Sequence, residues 1–290
     1  MEKHVGVIGV GRMGHLMVEY LIKNQYQVTA YDVFAPAVER AVSLGAKAAK
    51  TVEEVAKTCD LILLSLPKPQ HVRETVEKIA SAINSGTVIA DTSTVNPETS
   101  RSNADLLKGT GAYYVDAPIL GLPTVVGSWI MPLGGEPAAI SRLEPVLLCF
   151  ATKVVRVGDV GCGNAIKLLN NTMFAVINAI SAEMMHVADK VGVDKNVFYN
   201  TVANSKAATV SGLFKEVGKR ICEDRYDEPT FTLDLLYKDV NLGVQMARSA
   251  GINPLVASSV LEINENACHT GFGNQDCSGI YNYMARLYKA

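Results

Sequence analysis

Val5-Gly6-Val7-Ile8-Gly9-Val10-Gly11-Arg12-Met13-Gly14 places the spacing GxGxxG directly after a short apolar run, His4–Ile8. A helical pattern, Arg12–Lys23, follows at once. Each glycine has a separate physical task. Gly9 permits a tight turn, Gly11 lets the main chain approach a pyrophosphate, and Gly14 allows close helix–strand packing. The helix N-terminus then offers unpaired N–H groups to the phosphates, and Val10, Arg12 and Met13 are expected among the cofactor contacts. A glycine-rich turn alone is weak evidence, but strand, turn and helix agree here on a dinucleotide site.

The next strand signal, Gln27–Asp32, ends on an acid 18 residues past Gly14. A carboxylate at that point accepts hydrogen bonds from the adenosine ribose hydroxyls and repels a 2′-phosphate. Val33 and Phe34 supply no arginine to bind such a phosphate, so NAD is expected over NADP. The competing reading makes Asp32 only a helix N-cap.

Further strand signals fall at Asp60–Leu66, Thr87–Asp91, Ala112–Asp116, Trp129–Leu133 and Lys153–Val157. The unbroken apolar character of Leu61-Ile62-Leu63-Leu64 fits a strand buried on both faces of a parallel sheet. Strands alternating with helices predict a doubly wound α/β domain of the Rossmann type over residues 1–161. Beyond that point the strand signal stops. Ile166, Leu169, Met173, Val176, Ile177, Ile180, Met184 and Val187 recur every three or four residues, which predicts one long helix over 163–190. More helical patterns cover 194–222, 232–250, 254–270 and 278–289, so residues 162–290 read as an all-α domain opening with an interdomain helix.

Composition narrows the function classes. The chain has 290 residues, 48% of them hydrophobic, enough for two domains with real cores. Lys+Arg 27 against Asp+Glu 29 leaves no basic surplus for nucleic acid. No apolar run approaches the roughly 20 residues of a membrane span, and the first residues offer no signal peptide. A cytoplasmic protein is expected. The six cysteines, Cys59, Cys149, Cys162, Cys222, Cys268 and Cys277, form no CxxC pair or metal-spaced cluster. Free thiols and no metal follow as expectations.

The long helix opens Gly161-Cys162-Gly163-Asn164-Ala165-Ile166-Lys167-Leu168-Leu169-Asn170-Asn171. Lys167 and Asn171, at i and i+4, share a face, and Asn178 continues that polar stripe. A lysine among Ile166, Leu168 and Leu169 is partly desolvated, which favours the neutral amine needed to exchange protons with a hydroxyl. Spacing alone is better served by a snorkelling surface lysine.

Several motifs in order make the chain resemble the β-hydroxyacid dehydrogenase superfamily, which includes 3-hydroxyisobutyrate dehydrogenase, tartronate semialdehyde reductase and glyoxylate/succinic semialdehyde reductases. They are the N-terminal glycine turn, Asp91-Thr92-Ser93-Thr94 with Pro97, Asp116-Ala117-Pro118, Gly134-Gly135 and Gly163–Asn171. Phe231–Asp239 and Asp276-Cys277-Ser278 complete the set, which spans nearly the whole chain. The resemblance implies that Lys167 is the catalytic lysine and that Asn171 helps hold the substrate. It implies cofactor contacts at Leu66, Pro67, Thr94 and Lys238. Phe231 and Asp239 would line or support the site. A homodimer or homotetramer acting on a small anionic substrate is implied as well.

One stretch departs from the family pattern. The substrate loop usually continues Asp-Ala-Pro-Val with Ser-Gly-Gly, whereas this chain reads Asp116-Ala117-Pro118-Ile119-Leu120-Gly121-Leu122-Pro123. A hydroxyl is lost at Leu120 and a bulky side chain stands at Leu122. The N–H groups of Leu120, Gly121 and Leu122 are still expected to receive a carboxylate, in a more apolar pocket. The expected activity is NAD-dependent interconversion of a β-hydroxyacid and its semialdehyde, 3-hydroxyisobutyrate dehydrogenase-like. A reductase of another short aldehyde acid (glyoxylate, succinic or sulfonated semialdehyde) and a catalytically silent binding module are the alternatives. The loop at 119–123 separates the first from the second, and retention of Lys167, Asn171 and Lys238 argues against the third.

Overall fold

The computed structural model describes residues 4–207, 209 and 211–288. The chain divides into two compact units, Met1–Lys167 and Leu168–Ala290.

The first unit runs β1 (His4–Ile8), α1 (Arg12–Lys23), β2 (Gln27–Tyr31), α2 (Ala35–Ser43), β3 (Lys47–Ala48), α3 (Val52–Thr58), β4 (Leu61–Leu64) and α4 (Pro69–Ala80). It continues through β5 (Val88–Asp91), α5 (Pro97–Leu106), β6 (Tyr113–Asp116), β7 (Trp129–Gly134), α6 (Pro137–Leu147), β8 (Ala151–Gly158) and the start of α7 (Cys162–Lys190). The strands form one sheet in the order β3-β2-β1-β4-β5-β6-β7-β8. Its first six positions are the order of a doubly wound dinucleotide-binding sheet, with the reversal between β1 and β4.

The period of two along each strand builds a core on either face of this sheet. Val5, Val7, Leu61, Leu63, Val88 and Ala90 join one buried cluster. Ile8, Ile62, Leu64 and Ile89 join another, with Val55 and Cys59 of the α3 region. Gly6 belongs to this second face: a Cβ there would strike Val55 Cγ1. Full burial of Leu61–Leu64 thus follows from helices on both sides.

Two features escape the sequence pattern. β3 is only two residues long and carries no apolar run. β7 is antiparallel to β6, pairing Asp116 with Gly134. Between these strands lies only a short 3₁₀ turn, Pro123–Val125. A parallel strand is usually reached through a crossover helix, and the twelve residues from 117 to 128 hold no α-helix.

The second unit contains most of α7, then α8 (Lys195–Ala203), α9 (Gly212–Cys222), α10 (Leu233–Ser249), α11 (Leu255–Ala267) and α12 (Ile280–Leu287). The pattern read as one helical stretch over 194–222 is two helices, because Ser211 starts α9 afresh by accepting from the Phe214 N–H. The α7 periodicity holds, but the buried face is the small one. Ala175, Ala179, Ala182 and Met185 join the core of this unit. Leu169, Met173, Ile180, Met184 and Val187 remain exposed. Asn178, 11 residues from Lys167 on the same continuous helix, is buried and donates to the Cys277 carbonyl at 2.8 Å, so this member of the stripe has a packing role.

Candidate active site

The glycine turn sits at the carboxyl end of β1, beside the end of β4, where the strand order reverses. A Cβ on Gly9 would collide with the Ser65 carbonyl, and one on Gly14 with the Gly9 carbonyl. Gly9 also has φ of +88°, a left-handed conformation that favours glycine. Gly11 is different: a Cβ there meets no protein atom within 4 Å. Its missing side chain is not required by the protein's own packing and leaves the main chain open for approach. That is the cradle a pyrophosphate needs at the start of α1.

Asp32 follows β2, and both its oxygens accept main-chain N–H groups. Oδ2 accepts from Val10 at 2.8 Å and Oδ1 from Phe34 at 2.9 Å. The carboxylate therefore ties the glycine turn to the segment leading into α2. It is not that helix's N-cap, which is Phe34. A recess of about 430 Å³ opens beside it, lined by Tyr31, Asp32, Val33, Ala35, Val38, Glu39, Val42, Ala48, Ala49 and Lys50. An apolar floor next to an acid suits an adenosine, so the residues present fit a dinucleotide.

A chain of hydrogen bonds ties Leu66 to Ser93, the residue before Thr94. The Leu66 N–H donates to Ser93 Oγ at 2.9 Å, and the Ser93 N–H donates to Asp91 Oδ1 at 2.9 Å. The Tyr114 hydroxyl donates to Asp91 Oδ2 at 2.7 Å. Burial pushes the Asp91 carboxyl up to about 6, against the pull of its Ser93 and Tyr114 hydrogen bonds. The same burial raises the Tyr114 phenol well above its ordinary value. Pro67, next to Leu66, is exposed.

Asp116 anchors the start of α7. Its Oδ1 accepts from the Gly161 N–H and its Oδ2 from the Asn164 N–H, both at 2.7 Å. These are helix-start donors without intrahelical partners, and a carboxylate there also meets the favourable end of the α7 dipole. Burial moves the Asp116 carboxyl up, and the N–H groups of Gly161 and Asn164 oppose that shift. Asn164 is fully buried and accepts from the Val95 N–H at 3.2 Å, so the helix start is also pinned to the segment after β5.

One turn further, Lys167 is half-buried and its Nζ donates to the Ile119 carbonyl at 2.7 Å. The lysine therefore stands at the root of the 120–122 loop. The Leu120 N–H does not remain for an anion as expected, because it donates to the Ile130 carbonyl at 2.9 Å. Gly121 is packed against the Trp129 indole, which donates to the Leu122 carbonyl at 2.8 Å.

In the second unit, Asn171 and Lys238 share the carboxylate of Asp239. Asn171 Nδ2 donates to Oδ2 at 2.6 Å and accepts through Oδ1 from Asn170 at 3.0 Å. Lys238 Nζ lies 3.0 Å from Oδ1, an ion-pair contact without hydrogen-bond geometry. Phe231 meets Phe174 edge to face, with centroids 6.0 Å apart. Asp276 is an internal brace, accepting from Thr230 and from the Ser278 N–H and hydroxyl. Spacing assigned no anchoring role to Asp91 or Asp116. Their signal was an acid ending each of two strands made largely of buried residues.

Comparisons with known proteins agree across the chain. Residues 4–158 match the family described as the NAD binding domain of 6-phosphogluconate dehydrogenase. Residues 161–284 match the family described as NAD-binding of NADP-dependent 3-hydroxyisobutyrate dehydrogenase. The mitochondrial 3-hydroxyisobutyrate dehydrogenase of Drosophila melanogaster is 28% identical, over 98% of this chain and 90% of that protein. The 2-(hydroxymethyl)glutarate dehydrogenase of Eubacterium barkeri is 29% identical, over 97% and 95%. A solved 3-hydroxyisobutyrate dehydrogenase from Salmonella typhimurium superposes with a TM-score of 0.87 at 25% identity, covering 97% of this chain and 99% of that one.

Proposed function

The chain belongs to the β-hydroxyacid dehydrogenase superfamily, and from that premise we propose that it interconverts a small β-hydroxyacid and its semialdehyde with NAD, Lys167 serving as general acid and base. Membership makes it a nicotinamide-dependent oxidoreductase of CH–OH groups. The observation that carries the finer reading is the Lys167–Ile119 contact. A main-chain carbonyl accepts from an ammonium and, more weakly, from a neutral amine. The lysine thus keeps its position through the change of protonation that acid–base chemistry requires. In oxidation the neutral amine accepts the hydroxyl proton, and in reduction the ammonium returns it.

When bound, NAD supplies the two-electron acceptor or donor for the carbinol carbon. Gly9, Val10, Gly11, Arg12, Met13 and Gly14 would hold its pyrophosphate and Asp32 its ribose. Leu66, Pro67, Thr94 and Lys238 would complete its contacts. The preference for NAD rests on the Asp32 carboxylate, which repels a 2′-phosphate. Asn171, oriented by Asp239, would hold the substrate, and the N–H groups of Gly121 and Leu122 would receive its carboxylate.

The exposed stripe from Leu169 to Val187 runs about 27 Å along α7. Contiguous exposed apolar surface of this kind supports a homodimer or homotetramer. Six free thiols fit a reducing compartment, the cytoplasm in this reading. No described helix is long and apolar enough to cross a membrane. The test is a dehydrogenase assay over β-hydroxyacids and aldehyde acids with both cofactors. Absence of cofactor reduction with every hydroxyacid, and of cofactor oxidation with every aldehyde acid, would reject the reading.

A further inference from the structure

The hairpin of β6 and β7 carries two bridges with one continuous register. Asp116 pairs with Gly134 at one end, and Leu120 with Ile130 at the other. That register sets Pro118 opposite Pro132 between them. Neither proline has an N–H to donate, so the ladder is interrupted there. It resumes at Leu120 and Ile130, whose main chains exchange both hydrogen bonds, at 2.9 and 3.2 Å.

Side chains alternate across such a hairpin, and directly paired residues lie on the same face. Trp129, Met131 and Leu133 point into the first core and are fully buried. Asp116 and Gly134 lie on the other face, the one on which α7 begins. The Asp116 carboxylate reaches Gly161 and Asn164, and a Cβ on Gly134 would meet the Cys162 nitrogen at 3.0 Å. A Cβ on Gly163 would likewise strike the Pro132 carbonyl. Leu120 and Ile130 therefore continue this α7 face. Lys167 crosses the same hairpin one residue before Leu120, at the Ile119 carbonyl. Ile130 is 41% exposed although it is β-branched, apolar and flanked by fully buried neighbours.

We propose that Leu120 and Ile130 form an apolar wall beside the Lys167 amine that selects β-hydroxyacids carrying an alkyl group on the carbon next to the carboxylate over those carrying a hydroxyl there. This rests on the hydroxyacid reading of the same site and narrows its substrate class. An alkyl group laid on the wall removes apolar surface from water on both partners. A hydroxyl laid there loses water without gaining a donor or acceptor. Ile130 thereby becomes a specificity-determining position that the motif pattern does not mark.

The experiment compares kcat/KM for 3-hydroxypropionate and its 2-methyl, 2-ethyl and 2-hydroxy derivatives, in the unmodified protein and in Ile130→Ala, Ile130→Ser and Leu120→Ser. The unmodified protein should favour the 2-ethyl over the 2-hydroxy compound. Each substitution should lower that ratio by roughly tenfold, the low end of what one methylene contributes in a hydrophobic site. Thermal unfolding of Ile130→Ala monitors folding, and Ile130→Val, which keeps the strand-favouring shape, should lower the ratio less. Oxidation of these acids with a ratio that no substitution changes, or with the 2-hydroxy compound preferred, overturns the wall alone. No turnover of any of the four overturns the wall, while the hydroxyacid reading falls only if the wider panel of hydroxyacids and aldehyde acids fails too.

Discussion

Asp91 and Asp116 are register partners at the carboxyl ends of β5 and β6, and both carboxylates are fully buried. Each anchors a different part of the candidate site. Asp91 holds Ser93, which holds the Leu66 N–H. Asp116 holds the first turn of the helix that bears Lys167. Two neighbouring acids thus connect the sheet to the proposed cofactor contacts and to the proposed catalytic lysine.

The contribution of Asp91 to stability should fall as pH rises from about 4 to about 6. Its folded value, about 6, lies above that of an unfolded aspartate, so the folded state binds the proton more tightly. The contribution is fully present below the unfolded value and is lost as pH rises through the folded one. Two units correspond to about 3 kcal/mol as an upper figure. Denaturant unfolding at several pH values checks this. Asp91→Asn should flatten the slope, and an identical slope in both proteins would refute the assignment.

Asp116→Ala should free the start of α7. Two buried N–H donors lose their acceptor, each worth about 1–3 kcal/mol. Hydrogen exchange at Gly161–Asn164 should accelerate well beyond that of β1. Asp116→Asn, which keeps one acceptor oxygen, should recover part of the loss. Protection that is unchanged in the alanine variant would show that the helix start is held elsewhere.

Lys167→Ala should lower turnover by about 10²–10⁴-fold, the usual contribution of general acid–base catalysis, while dinucleotide binding persists. Lys167→Arg should also fail, since a guanidinium stays protonated and cannot serve as a base. Single-turnover kinetics isolates the chemical step. A rate for Lys167→Ala within tenfold of the original would remove the lysine from that role.

Asp32→Asn should raise kcat/KM for NADP relative to NAD by roughly tenfold, equivalent to about 1.4 kcal/mol. The amide oxygen can still accept one of the two main-chain N–H groups, so the turn is kept while the repelling charge goes. Equal use of both cofactors by the unmodified protein would contradict the assigned role of Asp32.

Gly11→Ala and Gly14→Ala should separate binding from folding. The new methyl at Gly11 meets no protein atom, so the melting temperature should stay within a few degrees while dinucleotide affinity falls by roughly tenfold or more. At Gly14 the methyl meets the Gly9 carbonyl, so Tm itself should drop. Calorimetry with and without NAD distinguishes the two. Undiminished affinity in Gly11→Ala would deny the open main chain its purpose.

The sequence by itself determined most strands of the sheet, the glycine turn and the change to helices after residue 161. These are written in local pattern: an unbroken apolar run at Leu61–Leu64, a period near 3.6 along α7, and the fixed spacing of three glycines. It also put Lys167 and Asn171 on one helix face. Only the tertiary structure decided which face of α7 is buried, because alanines pack as closely as a neighbouring helix demands while the larger Leu169 and Met173 stay outside. It alone paired Asp239 with Asn171, 68 residues away, and Asp116 with Gly161, 45 residues away. It also turned Ile130 toward the α7 face. Hydrogen bonds and packing between residues distant along the chain leave no periodic trace, since each depends on where two separate elements meet and not on what stands beside either one in the sequence.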